Sequence, residues 1–305
     1  MPRATIAPTL MLSLLLMSTS ALAATEVLIV QGLGGNDHYR ARFDTEVATI
    51  EAAAKTLAPE PSIRIFREAD GDREAILAHL GTLAGSMAEG DLFYLFLVGH
   101  GSFDDEEYKF NIRGPDLTDA DLKDALDAIP SDNQLVINTS SASGAAADVW
   151  ADDRRIVITA TRSGRERHAT FFGEHFIAAL FDDAADIDKN RRVSAQEAFN
   201  FADRRVAELF ETNGNLATEH ARLDGQRAGR FTLARLDVAR PTIEDARLTE
   251  LTRGRDSLNE RIESLRLERE NMDIEEYQQA LLGLMLELAE TEEAIEGREA
   301  ELDTQ

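Results

Sequence analysis

Three apolar runs without alternation limit this fold more than any other feature. Residues 92–98, 134–138 and 155–160 are dominated by apolar side chains on both faces, which is how a strand reads when helices cover its sheet on both sides. Residues 27–30 and 62–66 add two more short runs rich in β-branched or apolar side chains. Helical spacing fills the intervals at 43–57, 75–87, 119–128, 170–181 and 195–210. Strands alternating with helices predict an α/β domain with a mostly parallel sheet flanked by helices.

Composition sets the outer bounds. The chain has 305 residues and 43% apolar side chains, enough for one sizeable domain and an extension, since domains run roughly 100 to 200 residues. Arg3, the apolar stretch 10–17 and the small-x-small triplet Ala21, Leu22, Ala23 read as a secretory signal over 1–23. The mature chain is therefore expected to be exported, periplasmic or secreted, with no membrane span left after signal removal. With 57 acidic against 32 basic residues, the net charge of −25 excludes a nucleic-acid partner, which needs clustered lysine and arginine. The chain contains no cysteine, so neither disulfides nor thiol chemistry are available.

The domain is expected to span 24–238. Beyond Pro241 the pattern changes: Leu248, Leu251, Leu258, Ile262, Leu265 and Met272 keep a three-and-four spacing, and Leu281, Leu284, Leu288, Thr291, Ile295 and Leu302 repeat it after a polar break at 271–273. Residues 243–305 thus predict an antiparallel helical hairpin, a short coiled coil. Its first helix carries six arginines and its second ten acidic residues, so facing charges complement each other. The hairpin either packs as a solvated tail or, through 243–303, takes a second copy or a partner helix.

In a parallel sheet covered by helices, ligands sit beyond the carboxyl ends of the strands. The run 92–98 ends in Gly99-His100-Gly101-Ser102, and the run 134–138 ends in Thr139-Ser140-Ser141-Ala142-Ser143-Gly144. An imidazole at one strand end and a hydroxyl at another are the elements of a His-assisted hydrolase. These blocks, with 156–166 and the stretch His38-Tyr39-Arg40-Ala41-Arg42-Phe43-Asp44, resemble the legumain family of caspase-like cysteine peptidases over residues 26 to 225. The resemblance implies a caspase-like fold and a peptidase site that needs no cofactor. It places His100 on the catalytic histidine, Gly101 on the glycine whose N–H binds the oxyanion, and Ser141 on the nucleophile, with Ser140 as the alternative after a one-residue shift. Arg40 falls on the arginine of the primary specificity pocket.

Three departures fall inside that site. The nucleophilic cysteine is Ser141, the acidic residue after it is Ala142, and the asparagine that supports the histidine is His38. A thiol, with a pKa of about 8.5, is activated by a nearby imidazole alone, whereas a serine needs a base that is itself oriented by a third group. Asp104 and Asp105 are close in sequence to His100 but belong to an acidic loop run. The leading expectation is therefore an exported legumain-like chain that binds a peptide or protein without cutting it. The alternatives are an active hydrolase using Ser141 and His100, and a scaffold working through its coiled coil.

Residues 186–197 match a calcium loop, with Asp186, Asp188, Asn190, Arg192 (through its carbonyl), Ser194 and Glu197 at the liganding positions. The sixth position, normally glycine, is Arg191. The competing reading is a helix start, with Ser194 and Glu197 forming a capping box.

Overall fold

The computed structural model describes residues 23–212, 214, 216–236, 247, 251, 254, 258, 261, 262, 265 and 272–303. Residues 1–22 of the segment expected as a secretory signal lie outside the described residues. In chain order the elements are β1 (Thr25–Gln31), α1 (Asp37–Ala54), β2 (Ser62–Phe66), α2 (Arg73–Ser86), β3 (Leu92–Val98), β4 (Gly101–Phe103), β5 (Tyr108–Phe110), β6 (Leu117–Thr118) and α3 (Asp119–Ala128). They continue with β7 (Asn133–Asn138), α4 (Gly144–Trp150), β8 (Arg155–Thr159), α5 (Phe172–Ala178), β9 (Arg192–Ser194), α6 (Ala195–Thr212), β10 (Arg222–Asp224) and β11 (Thr232–Arg235), and a C-terminal helix follows at Ile274–Asp303.

Six strands form the central sheet in the order β10-β8-β7-β3-β1-β2. All neighbours are parallel except β10, which runs antiparallel to β8 at one edge. The strands alternate their side chains between two cores. Val27, Ile29, Tyr94, Phe96, Leu135, Ile137 and Ile158 pack against α1, α5 and α6. Leu28, Val30, Phe93, Leu95, Leu97 and Val136 pack against α2, α3 and α4. Burial on both faces explains why these strands read as unbroken apolar runs. It is a mixed α/β fold with a mostly parallel sheet flanked by helices.

Two features run against the sequence reading. Residues 101–118, given no strand or helix in the sequence reading apart from an acidic loop run at Asp104 and Asp105, form a small antiparallel sheet β4-β5-β6, and β9 pairs antiparallel with β11. Both are built from strands of two to four residues, too short for a period of two to register in the sequence.

The chain divides into two compact units between Val238 and Ala239. In the second unit Asp273 caps the C-terminal helix by accepting the Glu275 N–H at 2.9 Å. Residues 247, 251, 254, 258, 261, 262 and 265 are helical, and Arg261 pairs with Glu287 at 3.3 Å. Arg261 and Leu265 share a groove with Ala280, Leu284 and Glu287, so the two helical segments lie side by side around the break. No described helix is long and apolar enough to cross a membrane.

The start of β8 is pinned by a buried guanidinium. Arg155, whose side chain is fully buried, donates to Gln134 Oε1 at 2.9 Å, to the Trp150 carbonyl at 2.6 Å and to Asp127 at 3.0 Å. Truncating it removes the donor from the Gln134 side chain and the Trp150 carbonyl and the buried partner from Asp127, which keeps Lys123. Arg155→Ala is predicted to lose about 3 kcal/mol or more of stability in urea unfolding; a loss under about 0.5 kcal/mol would contradict this account.

Candidate functional site

Parallel pairing of β3 with β7, with Leu97 opposite Asn138, delivers the two strand ends to one edge of the sheet. Beneath them lies a closed polar triangle. Asn138 Nδ2 donates to the Tyr108 hydroxyl at 2.9 Å, the Tyr108 and Ser140 oxygens are 2.7 Å apart, and Ser140 Oγ donates to Asn138 Oδ1 at 2.8 Å. Every member finds a partner, which is what a buried polar group requires. Burial holds the Tyr108 phenol well above its ordinary range, so it stays protonated.

The chain crosses above this triangle at Gly101. A Cβ there would lie 2.5 Å from Ser140 Oγ, 2.6 Å from the Ser141 carbonyl and 2.7 Å from the Tyr108 hydroxyl, so only glycine fits. Asn111 N donates to the His100 carbonyl at 3.0 Å. By alternation along the antiparallel ladder, the peptide edge of Gly101 then faces away from β5. Its carbonyl accepts the Ser141 hydroxyl at 3.0 Å, so its N–H lies on the Ser141 side. Ala142 takes a left-handed φ of 57°, and its N–H donates to the Glu166 carbonyl at 2.8 Å, which ties the turn to the loop after β8.

His100 and Ser141 line one narrow cleft with Tyr39, Arg42, Phe43, Glu46, Thr139 and Thr170. Its volume of about 10 Å³ holds a single water. The His100 ring stands edge-on to Tyr39 at 4.6 Å and to Phe43 at 5.1 Å between centroids. Desolvation lowers its pKa, the Arg42 charge lowers it further, and a hydrogen bond with the Gly34 backbone opposes both. The imidazole is therefore neutral at pH 7. Among the described residues no carboxylate acts on it: Asp104 is held by Lys109 at 2.7 Å, and Asp105 by Arg167 at 2.8 Å.

The other expected residues are distributed unevenly. Ser140 is 1% exposed and fully engaged in the triangle, so Ser141 is the hydroxyl that reaches the cleft. His38 is exposed, with its ring against Tyr39 rather than His100. Arg40 points away from the cleft toward Asp37 and Glu68. The arginine inside the cleft is Arg42, which donates to Glu46 at 2.7 Å and to the Thr170 carbonyl at 3.0 Å.

Three acidic side chains around this cleft were given no site role from the sequence: Glu46 within the helical run 43–57, Glu166 at the end of the block 156–166, and Glu219 in a polar stretch. Burial raises the pKa of Glu46, against the lowering effect of Arg42. Glu219, 4% exposed, accepts the Phe171 N–H on both oxygens at 3.0 and 2.9 Å behind the cleft wall. Desolvation pushes its pKa up to about 7, opposed by the Phe171 and Phe172 N–H groups and by Arg42. Glu166 accepts the Arg162 N–H at 2.8 Å and lies 2.7 Å from His220 Nδ1.

The loop 186–197 has the backbone of a cation loop and the cap of a helix at once. Lys189 and Arg191 adopt φ of 59° and 62°, so Arg191 takes the turn expected of glycine. Asp186, 2% exposed, accepts the N–H groups of Asn190 and Arg191, each at 3.0 Å. Ligand oxygens of Asp186, Asp188 and Glu197 lie within 4.8 Å of one another. Glu197 also accepts Ser194 N at 2.9 Å and Ser194 Oγ at 2.7 Å, while its own N–H donates back to Ser194 Oγ at 3.3 Å.

The raised carboxyl of Glu219 makes stability depend on pH. Between its ordinary value of 4.5 and about 7 the folded chain holds a proton that the unfolded chain releases, so stability falls as pH rises through that window. Urea midpoints measured from pH 5 to 8 are predicted to fall less steeply for Glu219→Gln than for the wild type; superimposable profiles would contradict the assignment.

No family model and no curated protein sequence matches the chain. Among solved structures it is similar to protein GSU0716 from Geobacter sulfurreducens, at 12% identity and a TM-score of 0.46, covering 72% of this chain and 98% of that one. It is also similar to caspase-1 from Spodoptera frugiperda, at 9% identity and a TM-score of 0.41, covering 71% and 91%. A third similar structure is the Drosophila initiator caspase Dronc, at 13% identity and a TM-score of 0.38, covering 68% and 81%.

Proposed function

We propose that this chain is an exported relative of the legumain family whose peptidase site binds a peptide or protein segment without cleaving it. The observation that carries this reading is where the Ser141 hydroxyl goes: it donates to the Gly101 carbonyl at 3.0 Å, and no carboxylate among the described residues supports His100. A serine nucleophile needs an imidazole that takes its proton and a third group that holds that imidazole. Loss of the third group alone costs a serine hydrolase about 10⁴-fold in rate. The Gly101 N–H on the Ser141 side is a donor for a peptide carbonyl laid across the mouth of the cleft, whose interior has room for one water.

A fluorophosphonate probe tests this directly. The wild type is predicted to stay as unlabelled as Ser141→Ala; labelling of the wild type that Ser141→Ala abolishes would establish an active serine hydrolase instead. Ser141→Cys restores the nucleophile that an imidazole activates unaided.

We also propose that the loop 186–197 takes calcium. Its support is the left-handed turn at Arg191 together with three convergent carboxylates. Calorimetric titration is expected to show binding in the range of about 10⁻⁴ to 10⁻³ M, lost in Asp188→Asn. No heat from the wild type, or equal heat from both, would leave the capping box as the loop's whole role.

A further inference from the structure

Seven large hydrophobic side chains are exposed among the described residues, and four of them, Ile274, Leu282, Met285 and Leu286, lie on the C-terminal helix at 53–61% exposure. Leu282, Met285 and Leu286 follow i, i+3, i+4 spacing, so they form one patch on the helix surface. An adjoining side of the same helix is already used: Leu281, Leu284 and Leu288 are half-buried and Ile295 is 8% exposed. The helix therefore carries two apolar faces, and only one is covered. Single exposed hydrophobes are ordinary on a protein surface, but a contiguous patch of large ones marks an interaction site.

Charge decides what fits it. The helix carries ten acidic residues and one arginine, and Glu275, Glu276, Glu290 and Glu293 are exposed. In an antiparallel pair of two such helices centred on the patch, Leu282 falls opposite Leu286, and Glu275 then falls opposite Glu293 at each end. In a parallel pair each glutamate meets its own copy. Both arrangements set like charges against each other at the rim, which opposes association. An anionic lipid surface is repelled in the same way.

We propose that this outer face docks a basic amphipathic helix of a partner protein, one that presents apolar side chains at i, i+3, i+4 and i+7 flanked by lysine or arginine. The apolar patch supplies the anchor, and the glutamates on its rim select the sign of the partner and align it.

Fluorescence anisotropy with the full chain tests the assignment, using a fluorescein-labelled amphipathic peptide of leucine and lysine and a matched peptide of leucine and glutamate. The lysine peptide is expected to bind and the glutamate peptide not to. Leu282→Gln/Met285→Gln/Leu286→Gln is expected to weaken binding by about tenfold or more, because these are the anchors, with helical content unchanged by circular dichroism. Glu275→Gln/Glu290→Gln/Glu293→Gln is expected to weaken it while leaving the apolar patch in place. Equal binding by the wild type and the apolar variant would overturn the proposal, since the peptide would then be held elsewhere on the acidic surface. Sedimentation of the wild type as a dimer that the apolar variant converts to monomer would overturn it in favour of a second copy. Flotation with phosphatidylcholine vesicles, lost in the same variant, would overturn it in favour of a membrane.

Discussion

The site depends on how closely the chain leaving β3 crosses the chain leaving β7. At Gly101 the approach leaves no room for even a methyl group. The parallel register sets the height of the crossing, and the triangle of Asn138, Tyr108 and Ser140 sets its depth. Each hydroxyl in that triangle can donate once and accept once, so the network closes on itself and needs nothing from solvent. A network satisfied in this way specifies one arrangement of the turn, whereas a partly satisfied one would cost more than an apolar core. The left-handed Ala142 is held by the same logic, because its N–H is taken by the loop after β8.

Rigidity of this kind does not supply chemistry. The cleft holds an imidazole, a hydroxyl and a guanidinium, the residue types a hydrolase uses, but their partners are spent elsewhere. Ser141 gives its proton to a backbone carbonyl, and Arg42 is committed to Glu46 and the Thr170 carbonyl. His100 is oriented by aromatic edges and the Gly34 backbone, with only a positive charge acting on it. A positive charge beside a base opposes the imidazolium that proton transfer must create. A thiolate would have paired with that imidazolium directly; an alcohol leaves it unsupported. The polar side chains of the cleft are thus engaged with neighbours other than one another.

How much of this was legible follows from what each signal measures. Residues 119–128 were readable as a helix to the residue from their apolar spacing and the proline that follows at 130, and the structure adds a capping box of Thr118 and Asp121 at the start. Four of the five parallel strands were readable because burial on both faces leaves them mostly apolar, whereas β2, at the sheet edge, exposes Ser62 and Arg64 and was readable from its isoleucines and phenylalanine. That His100 and Ser141 come to one edge of the sheet was readable because each follows a buried strand. The arginine was misassigned because matching Arg40 to a family motif ignores the helix it sits on. Residues two apart on an α-helix point about 200° apart. With Tyr39, Phe43 and Glu46 in the cleft, Arg42 shares their side of α1 and Arg40 does not. Glu219 sits in an otherwise exposed polar stretch, and its burial comes from tertiary packing, so no local pattern could reveal it.

The central claim is that His100 and Ser141 share a cleft yet are not coupled. The most direct measurement is the titration of the His100 ring by NMR in the wild type and in Ser141→Ala. Removing a hydroxyl that donates to Gly101 should leave the midpoint of His100 where it was, below the ordinary value of 6.5 in both proteins. A midpoint that moves when the hydroxyl is removed would show the two side chains bonded to each other, and the account of an idle serine would be wrong.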